Sequence, residues 1–216
     1  MTEQFERIKN QYAESFRVHG DSPASLLTPK GRNELRFRAI DPFVLRRGAR
    51  VLDYGCGLGY LYQYLVEAGC EIEYFGVDIL PEFIDACREK YPSANFMHID
   101  ADEDVDGMYD VVFSSGVFNL CTSTDTAKSK EYALHRIEKL FSVAGDVLVC
   151  DFLSSFVDFQ QADAQHFSVG EIADFCVTKL GRRFQFRHDL LPYEFTMIAW
   201  KDSEIKRPEN IYEVDI

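Results

Sequence analysis

The run Val51-Leu52-Asp53-Tyr54-Gly55-Cys56-Gly57-Leu58-Gly59 constrains the fold more than any other part of the chain. A short apolar strand ends in glycines on alternate positions, and a helical pattern from Tyr60 to Ala68 follows at once. Alternate glycines let the backbone turn sharply and come close to a ligand; a bare strand–helix turn needs only one. The alternation then repeats. Ile72 to Val77 reads as a strand ending at Asp78, Pro81 to Tyr91 as a helix with Pro in its first turn, Asn95 to Ile99 and Tyr109 to Ser114 as strands, Thr126 to Phe141 as a helix and Asp146 to Phe152 as a strand. Val169 to Leu180 is a further helix with Ser168 as its N-cap. Phe184 to His188 and Phe195 to Trp200, joined through Leu191-Pro192-Tyr193, read as an antiparallel hairpin. This succession predicts an α/β fold, a doubly wound and mostly parallel sheet, with ligands beyond the carboxyl ends of the strands.

Ahead of the sheet, residues 3–18 read as a helix, Gly20 to Pro29 as a turn-rich link, and residues 31–46 as a second helical pattern broken near Pro42. The chain of 216 residues is expected to be one domain: a helical lid over 1–46, a Rossmann-like core over 47–201 and a loose tail over 202–216. A formal net charge of −13 disfavours a nucleic-acid substrate. The basic stretch Arg32, Arg36, Arg38, Arg46, Arg47 and Arg50 reads first as a solvated helix face with Arg stems on apolar neighbours, and otherwise as a local basic patch. Six scattered cysteines without metal-ligand spacing suit reduced thiols in a cytoplasmic protein. No run reaches the length of a membrane span and the start does not read as a signal peptide, so no membrane partner is expected.

The ligand class follows from the residues at the strand ends. A dinucleotide fingerprint would place a small residue where Tyr60 stands. Asp53, just before the loop, favours a cationic group, and S-adenosylmethionine carries both an ammonium and a sulfonium. Asp78 is placed to accept from ribose hydroxyls, or else to cap the next helix. Asp100 is placed to accept from an adenine amino group while the N–H of Ala101 donates to the ring. With Asp102, Glu103, Asp104 and Asp106 following, a solvated acidic loop is the alternative, and the spacing does not suit a metal.

In order and spacing, the glycine loop at 53–59, Asp78, Asp100-Ala101 and Tyr109 to Leu120 resemble the successive motifs of class I S-adenosylmethionine-dependent methyltransferases. The resemblance covers residues 35–201 and implies a seven-stranded sheet of order 3-2-1-4-5-7-6 with strand 7 antiparallel. It also implies that Gly55, Cys56, Gly57 and Leu58 wrap the methionine part of the cofactor, with Asp53 near its amino group. Asp78 would hold the ribose and Ile79 would face the adenine. Asp100 and Ala101 would read the adenine edge, Ser115 would lie near the methionine end, and Arg36 would reach the cofactor carboxylate. The stretches Arg36-Phe37, Ser115 to Leu120, Phe152 to Phe159 and Arg187 to Phe195 are similar to an uncharacterised bacterial subgroup of these enzymes.

Methyl transfer from a sulfonium requires alignment of the acceptor and exclusion of water, and an oxygen or nitrogen acceptor can also require a base. Asn119, His188 and Tyr193 are the catalytic candidates, with Asp189 and Glu194 beside them; each also fits a purely structural role in the hairpin or its packing. Phe152, Phe156, Phe159 and Phe167 suit either an aromatic lid or core. The expected activity is methyl transfer to an oxygen or nitrogen of a small-molecule acceptor, leaving S-adenosylhomocysteine. A protein or RNA methyltransferase and a non-catalytic cofactor-binding protein stay open.

Overall fold

Strand β1 (Ala49–Tyr54) lies at the middle of the sheet, where both of its faces are covered. It pairs in parallel with β2 (Ile72–Asp78) on one side and β4 (Tyr109–Ser114) on the other. Strand β3 (Asn95–His98) lies beyond β2, and β5 (Ala144–Ser154) beyond β4. A short β6 (His166–Phe167) pairs with the end of β5, and the hairpin β7 (Phe184–Leu191) and β8 (Glu194–Trp200) completes the sheet. This computed structural model describes residues 2–27, 32–44, 47–161 and 163–201. The expected tail over 202–216, Arg46 and the end of the expected link at 28–29 lie outside the described residues.

The order is β3-β2-β1-β4-β5-β8-β7, and β8 runs antiparallel to both β5 and β7. With β6 set aside, this is the expected doubly wound order with its antiparallel last strand. The eighth strand is a correction: two residues are too few to show a period of two.

The helices are α1 (Thr2–His19), α2 (Arg32–Phe37), α3 (Tyr60–Glu67), α4 (Pro81–Lys90), α5 (Thr126–Val143) and α6 (Val169–Phe175). The second N-terminal helix is shorter than expected. It ends at Phe37 and a separate 3-10 turn, Asp41–Phe43, holds Pro42 near its start, where no amide hydrogen is required. Helix α6 passes into one π turn, Cys176–Leu180, before Gly181. Ser168 caps α6 as expected: its Oγ accepts from Glu171 N at 3.0 Å, and the Glu171 carboxylate reaches back to Ser168 N at 3.4 Å.

Two apolar layers follow from the strand period of two. Leu52 and Tyr54 pack on one face with Ile137, Leu140, Leu148 and Phe152 from α5 and β5. Val51 packs on the other face with Leu61, Leu65, Ile84 and Phe113. Both layers stop at the carboxyl ends of β1, β2 and β4, where the chain turns out of the sheet. There α1 and the 3-10 turn Pro23–Leu26 lie over α4, with Phe16 and Tyr12 set edge-on against Phe83. All six cysteines are free thiols. Among the described residues no helix is long and apolar enough to cross a membrane.

Candidate active site

A cavity of about 630 Å³ opens at these strand ends. That size suits a site for one or two small molecules. Its floor is Tyr54, Gly55 and Gly57 after β1, Asp78 and Ile79 at the end of β2, Ala101 after β3, and Ser115 to Val117 after β4. Helices α1 and α2 close one side with Phe5, Ile8, Tyr12 and Arg36. Phe159, Gln165 and His166, with Tyr193 and Glu194, close the other.

The glycine loop takes its shape from two conformations that other residues adopt rarely. Gly55 has φ +79° and Gly57 φ +53°. A Cβ on Gly55 would sit 2.1 Å from Val117 Cγ2, and one on Gly57 2.8 Å from Leu26 Cδ2. The loop is latched to β2. Gly55 N and Cys56 N donate to Val77 O at 2.8 and 3.0 Å. Gly57 N donates to Asp78 Oδ2 and Leu80 N to Asp78 Oδ1, both at 2.9 Å. Burial raises the Asp78 pKa, against the backbone donors of Leu80, Gly57 and Ile79, which favour the charged form. With three backbone donors on about four lone-pair sites, the carboxylate keeps acceptor capacity on a residue that lines the cavity.

A second latch joins α2 to the far strands. Arg36 Nε and Nη2 donate to Glu194 Oε2 and Oε1 at 2.6 and 2.8 Å, and Arg32 also contacts Glu194. Asp151, on β5, accepts from Gly116 N at 2.8 Å and from Ser115 Oγ, with Arg36 Nε 4.0 Å away. Burial opposes the Arg36 charge, but Asp151 and Glu194 outweigh it and hold its pKa above the ordinary value. Burial raises the Asp151 pKa while Arg36 opposes that rise.

At the β3 end, Tyr132 Oη donates to Ala101 O at 2.6 Å. The Arg136 guanidinium lies 5.8 Å from the Tyr54 ring centroid and donates to Asp104 at 2.8 Å. The Tyr12 phenol is pushed up to about 12, first by burial and then by the Asp78 charge. It therefore stays protonated through neutral pH.

Of the residues expected from sequence to hold a cofactor, the structure brings Arg36, Gly55, Gly57, Asp78, Ile79, Ala101 and Ser115 to the cavity wall. Four do not line it. Asp53 lies on the Val51 face of β1, where the Tyr74 hydroxyl donates to it at 2.5 Å; strand alternation turns it away from Tyr54, which does line the cavity. Cys56 turns into the layer beneath α3 and α4, and Leu58 packs on Leu80 and Phe83. Asp100 is exposed and turns the acidic loop, its N–H donating to Glu103 at 3.0 Å and its carbonyl accepting from Glu103 N at 3.0 Å.

The catalytic candidates divide in the same way. Asn119 lines the cavity, but its Oδ1 already accepts from Leu153 N at 2.9 Å. Tyr193 lines it too, its hydroxyl donating to Asp158 at 3.2 Å. His188 is exposed outside the cavity, stacked on Phe156 and hydrogen-bonded to the Pro192 carbonyl at 3.2 Å. Asp189 is exposed and engaged with Arg187, whereas Glu194 is held by Arg36. Sequence reasoning missed Asp151, Gln165 and His166. Asp151 carried a usable signal, an acid beside an apolar strand as at Asp53 and Asp78; the other two carried none.

Comparison with known proteins agrees with this geometry. A profile described as a methyltransferase domain matches residues 51–140, from β1 into α5. The Mycobacterium tuberculosis protein Rv1506c, which carries a methyltransferase name, is 28% identical over 172 residues, spanning 76% of this chain and 97% of its own. The tRNA U34 carboxymethyltransferase of Pseudomonas aeruginosa is 36% identical over 95 residues, but these are 40% of this chain and only 29% of that protein. The magnesium protoporphyrin IX methyltransferase of Synechocystis, solved with S-adenosylhomocysteine bound, superposes with a TM-score of 0.60 at 20% identity, covering 86% of this chain and 91% of that one. That last likeness speaks for the fold alone. Taken with the glycine loop latched to Asp78, these matches show a methyltransferase domain over residues 51–140 and a fold shared with S-adenosylmethionine-dependent methyltransferases.

Proposed function

We propose that this enzyme transfers the methyl group of S-adenosylmethionine to an oxygen or nitrogen of a small-molecule acceptor. The observation that carries this reading is one continuous cavity running from the glycine loop and Asp78 to a wall of Phe5, Ile8, Val157 and Phe159. The polar end fits a nucleoside and an amino acid, while the apolar end leaves room for a compact acceptor.

In this reading Asp78 accepts from the ribose, Ile79 packs on the base, and Ala101 N donates to the adenine edge. Gly55, Gly57 and Ser115 border the methionine part, with Arg36 toward its carboxylate. When bound, the cofactor supplies an electrophilic methyl group on a cationic sulfur. The protein's own work is to orient the acceptor and exclude water, which α1 and α2 do as a lid over the strand ends. The six free thiols suit a reducing compartment, and the enzyme is assigned to the cytoplasm.

The tRNA-modifying relative supports an RNA acceptor as the second reading. A formal charge of −13 weighs against it. The two are separated by incubating the protein with methyl-labelled cofactor and either a small-metabolite extract, bulk tRNA or bulk protein. Label in the metabolite fraction alone is expected; label in tRNA or protein alone would replace the small-molecule reading.

A further inference from the structure

Beside the glycine loop's latches, the cavity wall holds two adjacent hydrogen-bond acceptors with nothing to accept from. Gln165 is 1% exposed, and its Oε1 is buried without a partner. The orientation of this amide is set by chemistry: Nε2 donates to the Phe118 carbonyl at 3.3 Å, a role that only the nitrogen fills. On the next residue, His166 Nδ1 lies 2.8 Å from the Ser154 carbonyl. A carbonyl only accepts, so Nδ1 carries the hydrogen. In the neutral ring Nε2 is then a bare acceptor, and it too is buried without a partner. Both residues line the main cavity, and His166 also borders a smaller cleft beside Lys130 and Glu171.

These groups sit on a fixed piece of backbone. Gln165 N donates to Asn119 O at 2.9 Å and Cys121 N to Asp163 O at 3.0 Å. His166 and Phe167 pair in register with Leu153 and Ser154 of β5. Buried acceptors are nearly always satisfied, and an orphan costs the fold its desolvation. Two on neighbouring residues, Gln165 just before β6 and His166 on it, suit a ligand that brings the missing donors. The cations of the same cavity face carboxylates, Arg36 and Arg32 sharing Glu194, Arg136 facing Asp104 and Lys9 facing Glu6, while Arg32 Nε and Arg136 Nε are themselves buried without partners.

We propose that Gln165 Oε1 and His166 Nε2 select a methyl acceptor that presents O–H or N–H donors to them. The inference rests on the small-molecule methyltransferase reading. Gln165 fixes the orientation of the acceptor. His166 receives the proton: the lone pair of the acceptor oxygen or nitrogen forms the new bond to carbon, the carbon–sulfur electrons return to sulfur, and the acceptor's hydrogen passes to Nε2. The resulting imidazolium keeps its Nδ1–H on Ser154 O.

The test uses the whole chain saturated with S-adenosylhomocysteine and three probes: resorcinol, 1,3-dimethoxybenzene and benzoate. Calorimetry gives their affinities, and ¹⁵N resonances of the His166 ring report contact. Resorcinol is expected to bind about tenfold tighter than either other probe, as a lost hydrogen bond in a buried site implies, and to move the Nε2 resonance. Gln165→Leu should erase that preference while leaving S-adenosylhomocysteine affinity unchanged. Equal binding of resorcinol and its dimethyl ether, tighter binding of benzoate, or an Nε2 resonance that does not move would each overturn the proposal in the wild-type protein, whatever the variant does. Failure of S-adenosylhomocysteine itself to bind would instead bring down the reading on which it rests.

Discussion

Arg36 and Glu194 meet side-on, with Nε–Oε2 at 2.6 Å and Nη2–Oε1 at 2.8 Å, and together with Arg32 on the same helix this pair ties α2 to the first residue of β8. Glu194 is 3% exposed, so its charge depends on Arg36 and Arg32 for compensation. Removing one partner of a buried pair leaves the other uncompensated. Glu194→Ala should therefore cost about 3 kcal/mol in urea unfolding. A loss below about 1 kcal/mol, the scale of a surface pair, would show that solvent reaches the site.

Asp53 predicts a pH dependence of stability. Burial raises its pKa from 3.8 to about 7, against the hydrogen bond from Tyr74. An acid with a raised folded pKa stabilises the fold relative to its ionised form only while protonated. That contribution is full below the unfolded pKa and is lost as pH rises through the folded one. Asn at this position keeps an acceptor for Tyr74 and does not titrate. The stability of Asp53→Asn relative to wild type should thus grow by roughly 2.5 kcal/mol between pH 5 and pH 8. A constant difference across that range would mean that Asp53 is solvated.

Gly55 carries both a backbone and a packing constraint. Its φ is +79°, and a methyl carbon added there would sit 2.1 Å from Val117 Cγ2. Gly55→Ala should lose about 2–4 kcal/mol of stability, combining the left-handed penalty with overpacking. Val117→Ala in the same chain should recover the packing part and leave the conformational part, as a double-mutant cycle would show. Full additivity of the two changes would place the strain elsewhere.

The order of the sheet was legible because each strand is an apolar run punctuated by Gly, Pro or Asp, and because the loop at 55–59 allows few other connections. Part of the cavity wall was legible on the same grounds: Gly55, Gly57 and Asp78 line it at the strand ends, where spacing places them. Asp53 was misread because its distance along the chain from the loop says nothing of the face on which it lands. Counting alternation back from Tyr54, which faces the cavity, would have turned it away. Gln165 and His166 were invisible for a different reason. Their meaning lies in what Phe118 and Ser154 occupy, and those partners are 47 and 12 residues away in sequence. Asn119 and Tyr193 were drawn from the right neighbourhoods, and what sequence could not show is that both already spend an oxygen on a neighbour.

The most direct measurement is calorimetric titration of the chain with S-adenosylhomocysteine, with NAD as control and Asp78→Ala beside the wild type. Asp78 is central because one carboxylate both latches Gly57 and Leu80 and borders the cavity. Binding to the wild type, no heat with NAD, and an affinity loss in a folded Asp78→Ala of more than about tenfold, the scale of hydrogen bonds to a charged group, is the expected result. Wild-type protein, folded and cofactor-free, that takes up no S-adenosylhomocysteine, or a variant that binds as tightly as wild type, would contradict the assignment of this cavity.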